Sequence, residues 1–415
     1  MFKPTKEQIQ EYAKLAVEMG VNVQKGQMLE INASIEAYEL VRECVKVAYE
    51  KGASYVDIKY LDDTIRKLDV TYQDIETLCN IPQWALDKTQ WSIDNNYCRL
   101  MIAGGDPDLL ADVDPEKIQK WSLSRMKAMK PYQYYSMNNL GQWSILAYPN
   151  LAWAHKVFPD IEDDDEAMYK LWDAILMTSR VEIGKTVDNW NLHNAEVRKH
   201  CAKMNEFNFK SLHFKNSLGT DLTVGLIKDH IWEGGCDMSR GEYKVEFNPN
   251  IPTEEVFTMP DRYHIDGTVY STKPLSHNGK IISAFNLTFK DGVVVEYDAK
   301  DNLETLKNLL ETDEGSKSLG EVALISYDSP ISNSNILFYN TLFDENASCH
   351  LALGACYPTN VKGGSELSEE ELYEKGGNNS MNHCDFMFGS ADMSVTGLTY
   401  DGQEITVFEN GNFVF

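Results

Sequence analysis

The chain has 415 residues, 43% of them hydrophobic, and a formal net charge of −26. This length and apolar content allow two or three domains with sizeable cores. The negative charge disfavours binding to nucleic acid or to an anionic membrane, because both need clustered lysines and arginines. It also fits a cavity that attracts cations, but on charge alone general solubility is the better explanation.

The sequence shows no targeting or membrane-spanning segment. No apolar run approaches the length of a membrane span, and the N-terminus lacks the apolar core of a signal peptide. Eight cysteines are scattered without a CxxC pair or a regular spacing, which indicates reduced and mostly buried thiols. We therefore expect a cytoplasmic protein.

Helices and strands alternate in the N-terminal part. Helical spacing of apolar residues predicts an opening helix over 5–19, which Gly20 ends. A strand over 27–33, a helix over 37–50 and a strand over 53–60 then form a βαβ unit, which implies a parallel sheet. The same order recurs as a strand over 98–103, a helix over 115–129 and a strand over 143–148. No glycine-rich fingerprint follows the first strand, so a dinucleotide site is not expected. We assign residues 1–185 to an α/β domain.

Strands dominate the second half of the chain. Helices predicted over 168–179 and 188–205 lead into it. Strands follow over 211–215, 221–226, 281–289 and 293–297, and a helix over 303–310. Asn278-Gly279 and Asp291-Gly292 are typical hairpin turns. We therefore assign residues 186–415 to a mixed α+β, strand-rich catalytic domain.

A histidine and an aspartate two residues apart lie in a strand predicted over 382–388. Side chains alternate between the faces of a strand, so His383 and Asp385 can point at one ion while Cys384 points away. Taken alone, the pair is better explained as a strand histidine hydrogen-bonded to an acid.

Glu345, His350 and Tyr357 follow an apolar run over 336–343 that we predict to be a strand. The small residues over 347–352 predict a helix, in which His350 and Tyr357, seven residues apart, share nearly the same face. Each also has an ordinary structural explanation, as a capped core histidine or as a buried aromatic ring.

Further acids precede apolar strands. Glu321 opens a strand predicted over 322–326, where a carboxylate is costly unless it is paired or metal-bound; an exposed strand end explains it about as well. Glu254 and Glu255 face opposite ways in an extended segment, so at most one is a ligand. Four acids and two histidines in one domain together predict a metal site that suits zinc, cobalt, manganese or magnesium.

Four strings around these residues resemble the aminopeptidase T and aminopeptidase S family of metallo-aminopeptidases, often called thermophilic aminopeptidases. They occur in the family's order, at similar spacing, and the resemblance extends from about residue 185 to the C-terminus. The strings are NIPTEEVFT at 250–258, LGEVAL at 319–324, NTLFDENAS at 340–348, and GGN at 376–378 running on to HCD at 383–385.

The resemblance implies a centre of two divalent metal ions and, in the family, a homodimer with an enclosed cavity. It selects Glu255 over Glu254 and adds Tyr357 as an active-site residue. Glu321 is expected to bridge the ions, to act as the base, or both. By matching position, the implied metal ligands are Glu255, Glu321, Glu345, His350, His383 and Asp385.

The predicted function is a metal-dependent aminopeptidase that removes N-terminal residues from peptides. Two cations would polarise the peptide carbonyl and lower the pKa of a water molecule. Tyr357 would donate a hydrogen bond to the oxyanion, and acids of the site would bind the substrate's α-ammonium group. Two alternatives stay open: a metal-dependent hydrolase of another bond, such as a phosphoester, which the scarcity of nearby lysines and arginines disfavours, and a non-catalytic peptide-binding homologue.

Overall fold

The computed structural model describes residues 4–277 and 280–415, so the turn predicted at Asn278-Gly279 lies outside the described residues. The chain forms two compact units. The first extends to His193 and also takes in 236–252, and the second comprises the stretches 194–235 and 253–415. The domain boundary at residue 185 stays a prediction. No helix of the described ranges is both long and apolar enough to span a membrane.

Thirteen α-helices are present in the described ranges, and the first, α1, continues as a π-helical segment over Leu15–Gly20. In chain order, α1 to α13 are Lys6–Lys14, Tyr38–Glu50, Asp63–Tyr72, Ile75–Cys79, Gln83–Asp94, Pro115–Met137, Leu151–Val157, Asp164–Thr178, Thr186–Phe207, Leu303–Leu310, Pro330–Asn333, Thr341–Asp344 and Glu369–Glu374.

Nineteen strands are present in the same ranges. In chain order, β1 to β19 are Met28–Ser34, Tyr55–Leu61, Cys98–Ala103, Trp143–Ala147, Phe209–Lys215, Asp221–Leu226, Asp237–Met238, Glu246–Phe247, Val256–Thr258, Pro260–Tyr270, Leu275–His277, Lys280–Lys290, Val293–Asp301, Leu319–Leu324, His350–Gly354, His383–Met387, Ser394–Thr399, Glu404–Glu409 and Asn412–Phe413.

The first unit contains a four-stranded parallel sheet in the order β2-β1-β3-β4. The α/β class predicted from the alternating pattern is therefore confirmed. Leu29, Ile31 and Ala33 of the central strand β1 are fully buried. The sequence did not reveal α3 and α5, because α3 buries only Val70 and α5 only Ser92, which leaves little apolar periodicity to read.

The second unit contains two antiparallel sheets, as the strand-rich C-terminal pattern predicts. The larger has nine strands in the order β11-β12-β10-β6-β5-β17-β18-β19, with β13 paired to β12. The smaller has the order β16-β15-β14-β9. Each strand of this smaller sheet contains, or directly follows, a predicted metal ligand.

Two predictions in this unit are wrong. The run over 336–343 is not a strand, and its last residues enter the short helix α12. The stretch over 347–352 is not a helix, because His350 opens strand β15, so His350 and Tyr357 do not share a helical face. All five residues of β15 are buried, and a strand buried on both faces shows no alternation by which it could be told from a helix.

Tyr12 joins α1 to the end of the parallel sheet. Its side chain is fully buried. Its hydroxyl donates to the carbonyl of Ala147 at 3.0 Å and accepts from the N–H of the same residue at 3.2 Å. One hydroxyl thus pairs both backbone groups at the end of strand β4.

We predict that Tyr12→Phe lowers the free energy of unfolding of the first unit by about 1–3 kcal/mol, because it leaves buried backbone groups of Ala147 unpaired. Urea unfolding followed by circular dichroism measures the change. Tyr49→Phe is the matched control, since Tyr49 is 49% exposed, and it should shift stability by less than about 0.5 kcal/mol. Equal shifts in the two variants would contradict the assigned role of Tyr12.

Candidate metal centre

The register of the smaller sheet places three of the predicted ligands on one of its faces. Glu321 of β14 and Asp385 of β16 both lie opposite Ala352 of the central strand β15. His383 lies opposite Gly354. Residues directly opposite each other, and residues two apart along a strand, share a face. Small residues on β15 therefore separate the acids and leave space above the sheet.

A second row of the same face brings in two more ligands. His350 of β15 lies opposite Ala323, and Ala323 lies opposite Phe257 of β9. Glu255 comes two residues before Phe257, and its Oε2 reaches to 3.3 Å from Nε2 of His350. The extended segment before β9 thus turns Glu255, which the family resemblance selected over Glu254, toward His350.

Five of the six predicted ligands form two overlapping groups that could each hold a metal ion. The first contains Glu255, Glu321 and His350, and the second contains Glu321, His383 and Asp385. Oε1 of Glu321 lies 3.3 Å from Nε2 of His350, and its Oε2 lies 3.6 Å from Nε2 of His383. Nε2 of His383 is also 3.5 Å from Oδ1 of Asp385. Glu321 is therefore shared, with one oxygen toward each histidine.

Backbone carbonyl groups orient both imidazole rings. Nδ1 of His350 lies 2.9 Å from the carbonyl oxygen of Glu345, and Nδ1 of His383 lies 2.7 Å from that of Ala355. A carbonyl oxygen only accepts hydrogen bonds, so Nδ1 must be the donor in each ring. In the neutral form of each ring, the Nε2 lone pair then points at the carboxylates, as in histidines that ligate metal ions.

The donor set fits divalent cations. A neutral Nε2 and a carboxylate oxygen are both acceptors, and facing acceptors repel unless a proton or a cation lies between them. Two donors about 2.1 Å from a tetrahedral ion lie roughly 3.4 Å apart, close to the separations of 3.3 to 3.6 Å found among these atoms. Carboxylate and imidazole ligands suit zinc and other divalent first-row metals.

Burial makes the charge of this group costly. It raises the pKa of Glu345 well above its usual range, and the charges of Asp385 and Glu255 add to the shift. Burial likewise raises the pKa of Glu321, although the hydrogen bond with His350 opposes it. Burial disfavours the charged form of His350, but the contacts with Glu255 and Glu321 outweigh it and hold the pKa of His350 well above its usual range. Within residues 4–277 and 280–415, no lysine or arginine lies within 4.0 Å of these carboxylates.

Glu345, the sixth predicted ligand, belongs to neither group of three but is held beside them. Its carboxylate accepts a weak hydrogen bond at 3.4 Å from Nδ2 of Asn346, which is fully buried. Oδ1 of Asn346 accepts from the backbone N–H of Glu254 at 2.8 Å. Asn346 thus connects the segments that carry Glu345 and Glu255. The sequence analysis did not single out Asn346. Its position directly after the predicted ligand Glu345 was the signal that could have identified it.

Tyr357 borders the group from the loop after β15. Its ring centroid lies 5.1 Å from that of His383, edge-on, and 5.8 Å from that of Phe257. Burial raises the pKa of the Tyr357 hydroxyl well above its usual range, and the charges of Glu321 and Asp385 add to this. The hydroxyl therefore stays protonated at neutral pH and able to donate a hydrogen bond.

The chain belongs to a known family of enzymes. A model of the thermophilic metalloprotease family (M29) matches residues 5–413. The protein is therefore a metalloprotease, an enzyme that hydrolyses peptide bonds and depends on divalent metal. The predicted family and enzyme class are confirmed.

Individual relatives match over their whole length. The chain is 43% identical to Aminopeptidase 2 of Geobacillus stearothermophilus, over 98% of each protein. It is 43% identical to Aminopeptidase AmpS of Bacillus subtilis, over 97% of this chain and 98% of that one. The solved structure of wild-type AmpT from Thermus thermophilus matches with a TM-score of 0.90 and 35% identity, covering 99% of this chain and all of the other. That match supports the fold described above.

We predict that Ala352→Val weakens metal binding roughly tenfold or more, because the two added methyl groups fill space between the carboxylates of Glu321 and Asp385. Valine is favoured in strands, so the sheet should persist. Metal content after dialysis against graded chelator measures the effect. Leu351→Val, on the opposite face of the same strand, should leave metal affinity unchanged. Equal metal content in both variants would show that the small side chain of Ala352 is not needed to leave room for metal.

Proposed function

We propose that this metalloprotease is an aminopeptidase with a dinuclear metal centre, held by the six predicted ligands and joined by Glu321. The observation that carries the proposal is the position of Glu321, whose two oxygens face different histidines in two groups of three. The aminopeptidases among its relatives support the exopeptidase activity.

Different residues of the chain would have different roles in peptide hydrolysis. When bound, the ions would supply Lewis acidity toward the peptide carbonyl and lower the pKa of water. Glu321, the carboxylate common to both groups, would help to hold the ions, and would accept a proton near the reacting atoms through an oxygen that no ion engages. The hydroxyl of Tyr357 would donate a hydrogen bond to the oxygen on which negative charge develops.

The charge of the site favours a substrate with a free amino terminus. Four carboxylates carry four negative charges, which two divalent ions would balance. A water molecule that loses a proton there would add one negative charge, and a substrate α-ammonium group could balance it. A phosphate group would instead meet carboxylates that have no lysine or arginine beside them in the described ranges. This charge distribution supports peptide hydrolysis over phosphoester hydrolysis.

We further propose a cytoplasmic homodimer. All eight cysteines are free thiols, as expected in a reducing compartment. The dimer follows from the family resemblance. Sedimentation equilibrium on the full chain would reveal a monomer if this part of the proposal is wrong.

The activity should depend on metal and on a free amino terminus. We predict that the enzyme hydrolyses Leu-Gly-Gly but neither its N-acetyl derivative nor a phosphomonoester. A chelator should abolish the activity, and Zn²⁺ or Co²⁺ should restore it and raise the melting temperature. Activity that persists after exhaustive metal removal would refute the metal-dependent mechanism, and equal cleavage of the acetylated peptide would refute the exopeptidase assignment.

Replacement of one histidine provides a matched comparison. His383→Ala should lose bound metal and activity while remaining folded. His213→Ala should retain both, because His213 pairs with Asp221 at 2.7 Å in the larger sheet, away from the six ligands. An active His383→Ala enzyme would place the site elsewhere.

We predict that Tyr357→Phe lowers kcat by about 10²-fold with little change in KM, because it removes a donor that acts mainly in the transition state. Metal content should stay at the wild-type level, since Tyr357 is not a proposed ligand. Steady-state kinetics on Leu-Gly-Gly measure kcat and KM separately. A rise in KM with an unchanged kcat would indicate that the ring serves substrate binding instead.

A further inference from the structure

The second unit contains a cavity of about 650 Å³ that includes none of the six proposed ligands. We call it the Arg262 cleft. Its volume is typical of sites for small molecules. The residues of its lining that carry the argument are Arg262, Tyr263, Asp291, Glu314, Lys317 and Asn378.

Two cations without acidic partners face this cleft. The guanidinium carbon of Arg262 lies 3.7 Å from the ring centroid of Tyr373 and 4.7 Å from that of Tyr263. In the part of the chain that the structure describes, no carboxylate lies within 4.0 Å of the charged nitrogens of Arg262 or Lys317. Acids outnumber lysines and arginines in this chain by 64 to 38, so two unpaired cations on one cavity indicate a place for an anionic group.

A buried acceptor in the same lining also lacks a partner. Asn378 is 3% exposed. Its Nδ2 donates to the carbonyl oxygens of Gly315, Ser318 and Gly354, at 2.7, 3.2 and 2.7 Å. Its Oδ1 has no hydrogen-bond partner among the described residues. This oxygen is itself buried, so it is not exposed to the cleft. Through the donated hydrogen bonds, Asn378 fixes the backbone that borders the cleft.

Acids at the rim select among anionic ligands. Asp291 and Glu314 line the same cavity as the two cations and are exposed, and so is a third lining acid, Glu311. The fourth acid of the lining, Asp313, is half-buried and accepts hydrogen bonds from Ser316, Ser380 and the N–H of Met381. The exposed acids would repel a simple anion such as phosphate, whereas a zwitterion could place its carboxylate at the cations and its ammonium group at the acids.

We propose that the Arg262 cleft binds a free α-amino acid, whose carboxylate pairs with Arg262 and Lys317 and whose ammonium group faces the acids of the rim. The choice of amino acid rests on the proposed function, because free amino acids are the products of an aminopeptidase. Asn378 donates to the carbonyl of Gly354, which lies opposite His383 in the sheet. The lining of the cleft therefore includes the residue that holds the strand end beside a proposed metal ligand.

Calorimetric titration of the metal-loaded full chain with leucine tests the proposal. We expect Arg262→Gln and Lys317→Gln each to weaken one class of leucine site about tenfold or more, because each removes a charge-assisted hydrogen bond. Lys210→Gln is the control, since Lys210 is exposed and does not line the cleft. Both cleft variants should keep wild-type metal content. Leucine titrations indistinguishable from wild type in both cleft variants would overturn the proposal.

Three further probes distinguish an amino acid from related ligands. Leucinol lacks the carboxylate, N-acetyl-leucine lacks the ammonium group, and inorganic phosphate is an anion alone. Each should bind the cleft at least about tenfold more weakly than leucine. N-acetyl-leucine binding as tightly as leucine, with loss in Arg262→Gln, would show a site for peptide carboxyl termini and overturn the proposal, as would equal binding of phosphate. The titrations involve no turnover, so inactivity on peptides would refute the proposed function without deciding this one.

Discussion

The constraint on which the rest of the second unit depends is a group of four carboxylates and two imidazoles, each buried or half-buried. Among the described residues, no lysine or arginine lies beside them. Like charges in a low-dielectric site repel strongly, and each buried charge also loses its hydration. The raised pKa values of Glu321 and Glu345 express this cost. The raised pKa of His350 instead reflects the negative charge of the carboxylates around it. The group is favourable only with positive charge between the ligands, so its composition is itself an argument for divalent cations.

A small antiparallel sheet meets this constraint through its register. Opposed residues place Glu321 and Asp385 on either side of Ala352, and His383 opposite Gly354. Large side chains at the two small positions would occupy the space that ions need. Strands also hold ligands more rigidly than loops do, and rigid placement limits the reorganisation required when a metal binds. The alanine and glycine of β15 are therefore as much a part of the site as the charged residues.

The sequence revealed most of the side chains of this site but little of what orients them. Glu321 and the pair His383 and Asp385 lie in strands whose patterns are readable, and the family strings placed them together. His350 was assigned to a helix because β15 is buried on both faces and shows no alternation. The carbonyl groups of Glu345 and Ala355 could not be found, since every residue has a carbonyl and only tertiary contacts decide which one meets an imidazole. In the first unit, α3 and α5 were missed because each buries a single side chain.

The same electrostatics connects metal binding to the stability of the second unit. The proposed ligands come from four separate segments of chain, around β9, β14, β15 and β16, and in the absence of cations these segments carry mutually repelling acids. Protonation relieves the repulsion in the metal-free chain, but the carboxylates must release those protons when metal binds, which makes the metal affinity fall at low pH. Cations that bind the folded sheet and not the unfolded chain would stabilise the fold by an amount that grows with the ratio of the free metal concentration to Kd. The fold and the proposed metal centre are thus mutually dependent. The register of the sheet brings mutually repelling carboxylates together, and the ions proposed to bind them would remove that repulsion.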